Sequence, residues 1–257
     1  MELFTRQTGD SGPHVILLHG LFGSHENLGV LARGLAAHCR VHAMDLRNHG
    51  RSPHAATMTY PEMAADVRTT MDAHDLQQAV IIGHSMGGKV AMELALTDPD
   101  RVADLVVLDI APVAYPRSHD TELMAMQALD TSLLASRGEA DQALAAELPN
   151  PAIRQFLLKN LVRADDGFAW RIPLDAIASA YPDLLAAPSA GTTERRALFI
   201  RGGASDYVTR EHEREIRARF HAATIETVAD AAHWVHVEAP EVVKERVLEW
   251  IGNDGKT

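Results

Sequence analysis

One cysteine, Cys39, is all that the 257 residues contain, so no intramolecular disulfide can form. It lies between His38 and Arg40 at an expected helix-to-strand junction, the setting of an inert, half-buried thiol and not of a nucleophile. No apolar run approaches the roughly eighteen residues of a membrane span. The opening Met1-Glu2-Leu3-Phe4-Thr5-Arg6 is charged and lacks the apolar core of a signal peptide, so a cytoplasmic protein is expected. Basic residues are outnumbered, Lys+Arg 24 against Asp+Glu 35, and the formal net charge is -11. An acidic surface argues against nucleic acid or an anionic membrane as partner. The one tight basic pair, Arg195-Arg196, reads as a solvated turn. His is plentiful at 14, yet no H-E-x-x-H or C-x-x-C arrangement gathers these residues, and no metal is expected.

What is present suits a folded core. Apolar residues make up 46% and charged residues 23%, and the length fits one domain with an elaborated insert. Short apolar runs alternate with stretches of helical period, which predicts a largely parallel sheet covered by helices. Strands are expected at His14–His19, Arg40–Leu46, Gln78–Ile82, Leu105–Asp109, Ala197–Ile200 and near Thr224–Val228. Helices are expected at Asn27–Ala37, Tyr60–Ala73, Met86–Leu96, Arg210–Phe220 and Pro240–Ile251. The stretch Pro112–Glu194 breaks this rhythm, since a crossover between parallel strands needs only a dozen or more residues. It is Ala- and Leu-rich, with helical stretches at Thr121–Leu129, Asp141–Leu148 and Ile153–Val162. It reads as a helical cap inserted within a single domain.

The strongest chemical signal is Gly83-His84-Ser85-Met86-Gly87, a G-x-S-x-G directly after an apolar strand and directly before a helix. A nucleophile on a strained strand-to-helix turn needs small residues two positions to either side, because the chain crowds itself there. The helix that follows also points its positive end at the site. A serine hydroxyl needs a base, and in this arrangement the chain order is serine, acid, then histidine near the C-terminus. His233 follows the last expected strand and is the candidate base; His236, three residues on, is its rival. Two acids end or follow strands on the same sheet edge, Asp109 and Asp206, and either would orient the imidazole. His19-Gly20-Leu21-Phe22-Gly23 would aim the Leu21 N–H into the site beside that of Met86, and two such donors form an oxyanion hole. Phe22, Trp170 and Tyr207 are candidate pocket residues. Phe168, Trp170 and Leu174 are the insert's candidates for setting acyl-chain selectivity.

Together these residues resemble the α/β-hydrolase superfamily, and more narrowly the YbfF-type esterases, whose animal relatives include abhydrolase domain-containing protein 11. The likeness runs over nearly the whole chain. It is carried by His19–Ser24, Asp45-Leu46-Arg47-Asn48-His49-Gly50-Arg51-Ser52-Pro53, Gly83–Gly88, Asp109–Val113 and His233-Trp234-Val235-His236. The resemblance implies cofactor-free hydrolysis of small to medium acyl esters or thioesters by a Ser-His-Asp triad beneath a helical cap. It also favours Asp109 over Asp206 as the acid, and it makes Asp45–Pro53 a supporting loop. A glycine commonly precedes the histidine in such enzymes; here Ala232 does. The alternatives are C–C bond hydrolysis or perhydrolysis on the same fold, or a ligand receptor without turnover.

Overall fold

The computed structural model describes residues 1–165 and 167–252. In chain order the first half comprises β1 (Thr5–Thr8), β2 (His14–Leu18), α1 (Gly29–Leu35), β3 (Arg40–Met44), α2 (Tyr60–Ala73), β4 (Ala79–His84), α3 (Met86–Thr97) and β5 (Val102–Leu108). There follow α4 (Asp120–Ala128), α5 (Arg137–Leu144), α6 (Pro151–Leu157), β6 (Leu161–Ala164), β7 (Gly167–Trp170) and α7 (Leu174–Leu185). The chain then returns through β8 (Ala197–Gly202), α8 (Arg210–Arg219), β9 (Ala223–Val228), α9 (Val235–Glu238) and α10 (Pro240–Gly252).

Seven strands form one sheet in the order β1-β3-β2-β4-β5-β8-β9. Only the edge strand β1 runs antiparallel to its neighbour; the remaining pairs are parallel. The central strands are mostly apolar because both faces are covered. Along β2, Ile16 and Leu18 enter one core with α2, α3 and Ile216 of α8, while Val15 and Leu17 enter another with α1 and α10. Local signals fix the helix starts. Thr59 and Glu62 close a reciprocal cap at the head of α2, with Pro61 in its first turn.

Among the described residues, the segment between β5 and β8 holds four α-helices and the antiparallel β6-β7 hairpin, and its apolar residues Leu123, Leu144, Leu157 and Ile177 join the first core. One guanidinium grips both of its stems: Arg219 donates to Pro112 O at 3.1 Å and to Ser189 O. Three features differ from the sequence expectation. The edge strand β1 was not expected, since Thr-Arg-Gln-Thr is polar and only partly buried. The expected helix Ile153–Val162 ends early: α6 gives way to a single tight turn, Leu158–Asn160, and then to β6. Finally, α7 was not among the expected helices; it runs through Pro182, its buried stripe of Leu174, Ile177, Tyr181 and Leu184 outweighing the lost backbone bond.

Parallel strands bring their C-terminal ends to one edge. His19 after β2, Ser85 after β4, Asp109 after β5 and the loop after β9 therefore converge, on the edge where open α/β sheets bind ligands.

Candidate active site

Ser85 sits at the turn from β4 into α3 with φ 52° and ψ -119°, a conformation that side chains other than glycine rarely adopt. The glycines around it have a steric cause. A Cβ on Gly83 would lie 2.1 Å from Gly87 O, and one on Gly87 would lie 2.3 Å from Leu18 O. The turn is held by Ser85 N–H donating to Leu108 O at 3.1 Å. Met86 opens α3, so its N–H has no partner within the helix.

His233 donates from Nδ1–H to Asp109 Oδ2 at 2.8 Å, which leaves Nε2 with the lone pair. Asp109 is buried, 1% exposed, and has φ 51°. Its other oxygen accepts from Gly202 N–H at 2.9 Å, and Ser205 Oγ donates to Oδ2. Asp206 is exposed on the next turn, and the structure brings Asp109, not Asp206, to the His233 ring. His236 is buried, and burial lowers its pKa to about 4. His84 is also held neutral by burial, and its Nε2–H donates to His233 O at 2.9 Å, bracing the histidine loop. The ring of Tyr207 stacks on that of His233 at 3.8 Å between centroids and 17° between planes.

The loop His19–Gly23 is held by neutral histidines. His19 Nε2 accepts from Leu46 N–H and its Nδ1–H donates to Gly20 O. His49 Nε2 accepts from Phe22 N–H at 3.0 Å while its Nδ1–H donates to Arg47 O. Burial holds His49 down to about 3, so it remains an acceptor. Phe22 itself has φ 59°, and its carbonyl accepts from Asn160 Nδ2 at 2.7 Å. Arg47 in turn forms a buried two-pronged pair with Asp66. The Asp45–Pro53 loop thus acts through its hydrogen bonds to its neighbours.

Two cavities meet at Ser85. The larger, about 820 Å³, is lined by Phe22, His233 and Trp234, with Ile153, Phe156 and Leu157 from the insert. The smaller, about 40 Å³, is lined by Met86, Ile110, Tyr181, Leu184 and Tyr207 among others. Phe22 and Tyr207 therefore line cavities as expected from sequence, but Trp170 does not. Its indole N–H donates to Met126 O at 3.0 Å and its ring packs on the core. Phe168 and Leu174 are likewise core residues, 6% and 9% exposed, and belong to neither cavity lining. Among the described residues no group of three or more His, Cys, Asp or Glu is arranged to hold a metal, and no helix is long and apolar enough to cross a membrane.

The family model described as the alpha/beta hydrolase fold matches residues 13–240. The chain belongs to the α/β-hydrolase family. Within it, the chain is 38% identical over 250 residues to Esterase YbfF of Escherichia coli, covering 97% of each protein. It is 39% identical over 252 residues to the sn-1-specific diacylglycerol lipase of Mus musculus, covering 93% of this chain and 81% of the relative. A solved marine microorganism esterase superposes with a TM-score of 0.94 at 37% identity, covering 96% of this chain and 98% of that one. This α/β-hydrolase is a hydrolase of the esterase and lipase type, as its relatives are.

The contacts of four site residues were not legible in the sequence, although His49 and His84 lie within motifs that were. Asn160 and His49 act on the Phe22 backbone from distant segments, His84 acts on the His233 carbonyl, and Ser205 supports Asp109. Ser205 also had a hint, its place in the Gly203-Ala204-Ser205-Asp206 turn.

Proposed function

We propose that this α/β-hydrolase cleaves acyl esters or thioesters of small molecules through an acyl-enzyme on Ser85, with His233 as base and Asp109 as its orienting acid. The observation that carries this reading is the 2.8 Å bond from His233 Nδ1–H to Asp109 Oδ2, which fixes the ring tautomer beside the cavity that Ser85 also lines. Ser85 Oγ attacks the acyl carbon as Nε2 takes its proton. The tetrahedral oxyanion is stabilised by the N–H groups of Leu21 and Met86. The C–O or C–S bond then breaks, and the leaving oxygen or sulfur takes the proton from the imidazolium. A water molecule, deprotonated by Nε2, attacks the acyl-enzyme, and the acid and free Ser85 are released. Every proton and charge in this cycle is handled by groups of the chain, so no cofactor is required.

The segment between β5 and β8 is the proposed cap: it supplies Ile153, Phe156 and Leu157 to the wall of the larger cavity. Titration with a fluorophosphonate tests the reading. Stoichiometric labelling that disappears in a folded Ser85→Ala variant, with loss of ester hydrolysis, is expected. A folded Ser85→Ala protein keeping a tenth of the wild-type rate would refute it.

A further inference from the structure

The two cavities meet at Ser85, sharing Leu21, Ser85 and His119, and only one of them is lined by the proton donor. His233 lines the larger cavity and not the smaller, while Tyr207 lines the smaller and covers a face of the His233 ring. Tyr207 therefore separates the imidazole from the smaller cavity. A leaving oxygen must lie within reach of Nε2 to take its proton, so the alcohol half of an ester belongs in the larger cavity. The acyl chain must then run the other way, past the N–H of Met86, into the smaller one.

The smaller cavity is short and stiff. A volume of about 40 Å³ for water-sized occupants holds roughly three of them, at about 10–15 Å³ each. Its walls have little room to relax because their polar groups are committed elsewhere. Tyr60 OH donates to Leu184 O at 2.6 Å. Lys89 Nζ donates to Leu185 O at 3.2 Å and Ala186 O at 2.6 Å. Tyr115 OH donates to Tyr207 O at 2.5 Å, and Tyr181 OH accepts from the N–H groups of Ser118 and His119. Tyr60, Ile110, Tyr181 and Leu184 are all buried, so a longer chain would have to displace packed core. The larger cavity, by contrast, is of ordinary ligand size and is walled by Leu21, Phe22, Ile153, Phe156, Trp234 and Val237.

We propose that the substrate class is a short-acyl ester, two to four carbons in the acid, of a long or bulky apolar alcohol. The proposal rests on the Ser85–His233–Asp109 reading and adds the direction in which the substrate lies.

Two ester series on the intact protein test it. With p-nitrophenol as the constant leaving group, kcat/KM should be highest from acetate to butyrate and fall at least tenfold by octanoate. With acetate as the constant acid, acid release from ethyl through decyl esters should rise by up to about fourfold per added methylene until the cavity is filled. Leu184→Ala, which removes a wall of the smaller cavity, should move the acyl optimum to longer chains. Ile110→Ala tests the same wall if the first variant does not fold. An octanoate preference over acetate in the wild type, or an unmoved acyl optimum in a folded wall variant, overturns the proposal. The two readings fail separately. Without fluorophosphonate labelling of Ser85 the triad itself is wrong, whereas labelling with an inverted length profile removes only the assignment of the two cavities.

Discussion

Asn160 and Phe22 are 138 residues apart in sequence and joined by one hydrogen bond of 2.7 Å, from the amide of the inserted segment to a carbonyl of the oxyanion loop. Phe22 has φ 59°, a conformation its side chain disfavours, and its N–H is held from the other side by His49. The insert thus fixes the residue next to Leu21, whose N–H is a proposed oxyanion donor. In Asn160→Asp the donor becomes an acceptor facing a carbonyl, and the loop should loosen. The expected result is a fall in kcat of about 10- to 100-fold, equivalent to about 1–3 kcal/mol, with KM changed less than about threefold. Steady-state kinetics on the folded variant check the split; a loss confined to KM would assign Asn160 to substrate binding instead.

The two acids should differ sharply. Asp109→Asn keeps the size of the side chain but favours the wrong imidazole tautomer, and kcat should drop by about 10⁴. Asp206 is exposed, and Asp206→Asn should stay within a few-fold of wild type. Comparing kcat of the two purified variants decides the matter, and a larger loss at Asp206 would reverse the assignment.

Acid should destabilise the fold well before the carboxylates titrate. Burial holds His42 and His236 down to about 4 and His49 to about 3, all below the ordinary 6.5. The sign follows from linkage: as pH falls below 6.5, the unfolded chain binds protons at these sites and the folded chain does not. The stability they allow is full above about pH 6.5 and is lost progressively down to about pH 4, on the order of 1.4 kcal/mol per site per unit once within that window. Urea midpoints at pH 7, 6 and 5 should therefore decline, and His42→Gln should flatten the decline. A flat midpoint across that range would contradict the buried neutral state.

The insert should govern the larger cavity through α6 rather than through β7. Phe156 lines the cavity and packs tilted against Trp234 with ring centroids 5.4 Å apart, whereas Trp170 is bonded to Met126 O outside it. Phe156→Ala should lower kcat/KM for long-alcohol acetates by about tenfold or more and spare ethyl acetate. Trp170→Ala should lower the thermal midpoint, because truncating a packed aromatic costs about 3–5 kcal/mol in a full core and less here, where the ring is half-buried. Its chain-length order should not move. Melting curves and the alcohol series separate the two effects.

Much of this architecture is legible in the chain because its signals are local. Tyr60–Ala73 shows its helix by its apolar period, and the structure has the same bounds. Val15–Leu18 and Leu105–Leu108 declare buried strands by being apolar on both faces. Chain order and strand ends likewise bring Ser85, His233 and Asp109 into view. What stays hidden depends on tertiary context. β1 is a polar edge strand that exists because Met44 and its neighbours offer a partner. Leu161 and Val162, the end of an expected helix, instead open β6, which pairs with β7 from Gly167, whose φ is 96°. Trp170 looks like a pocket residue in sequence, and only packing reveals that its indole serves Met126. The choice of Asp109 over Asp206 could not come from spacing, since both acids follow strands at the same edge.

The positive φ of Ser85 sets activity against durability. A left-handed, non-glycine residue stores about 1–3 kcal/mol of strain, and here the surrounding turn enforces it for the sake of where Oγ points. Selection for heat resistance alone would erase the proposed nucleophile, because Ser85→Gly relieves the strain without disturbing Gly83 or Gly87. The inactive Ser85→Gly protein is expected to melt a few degrees above the wild type in calorimetry. Thermostable descendants of this chain would have to find their gains away from the β4–α3 turn.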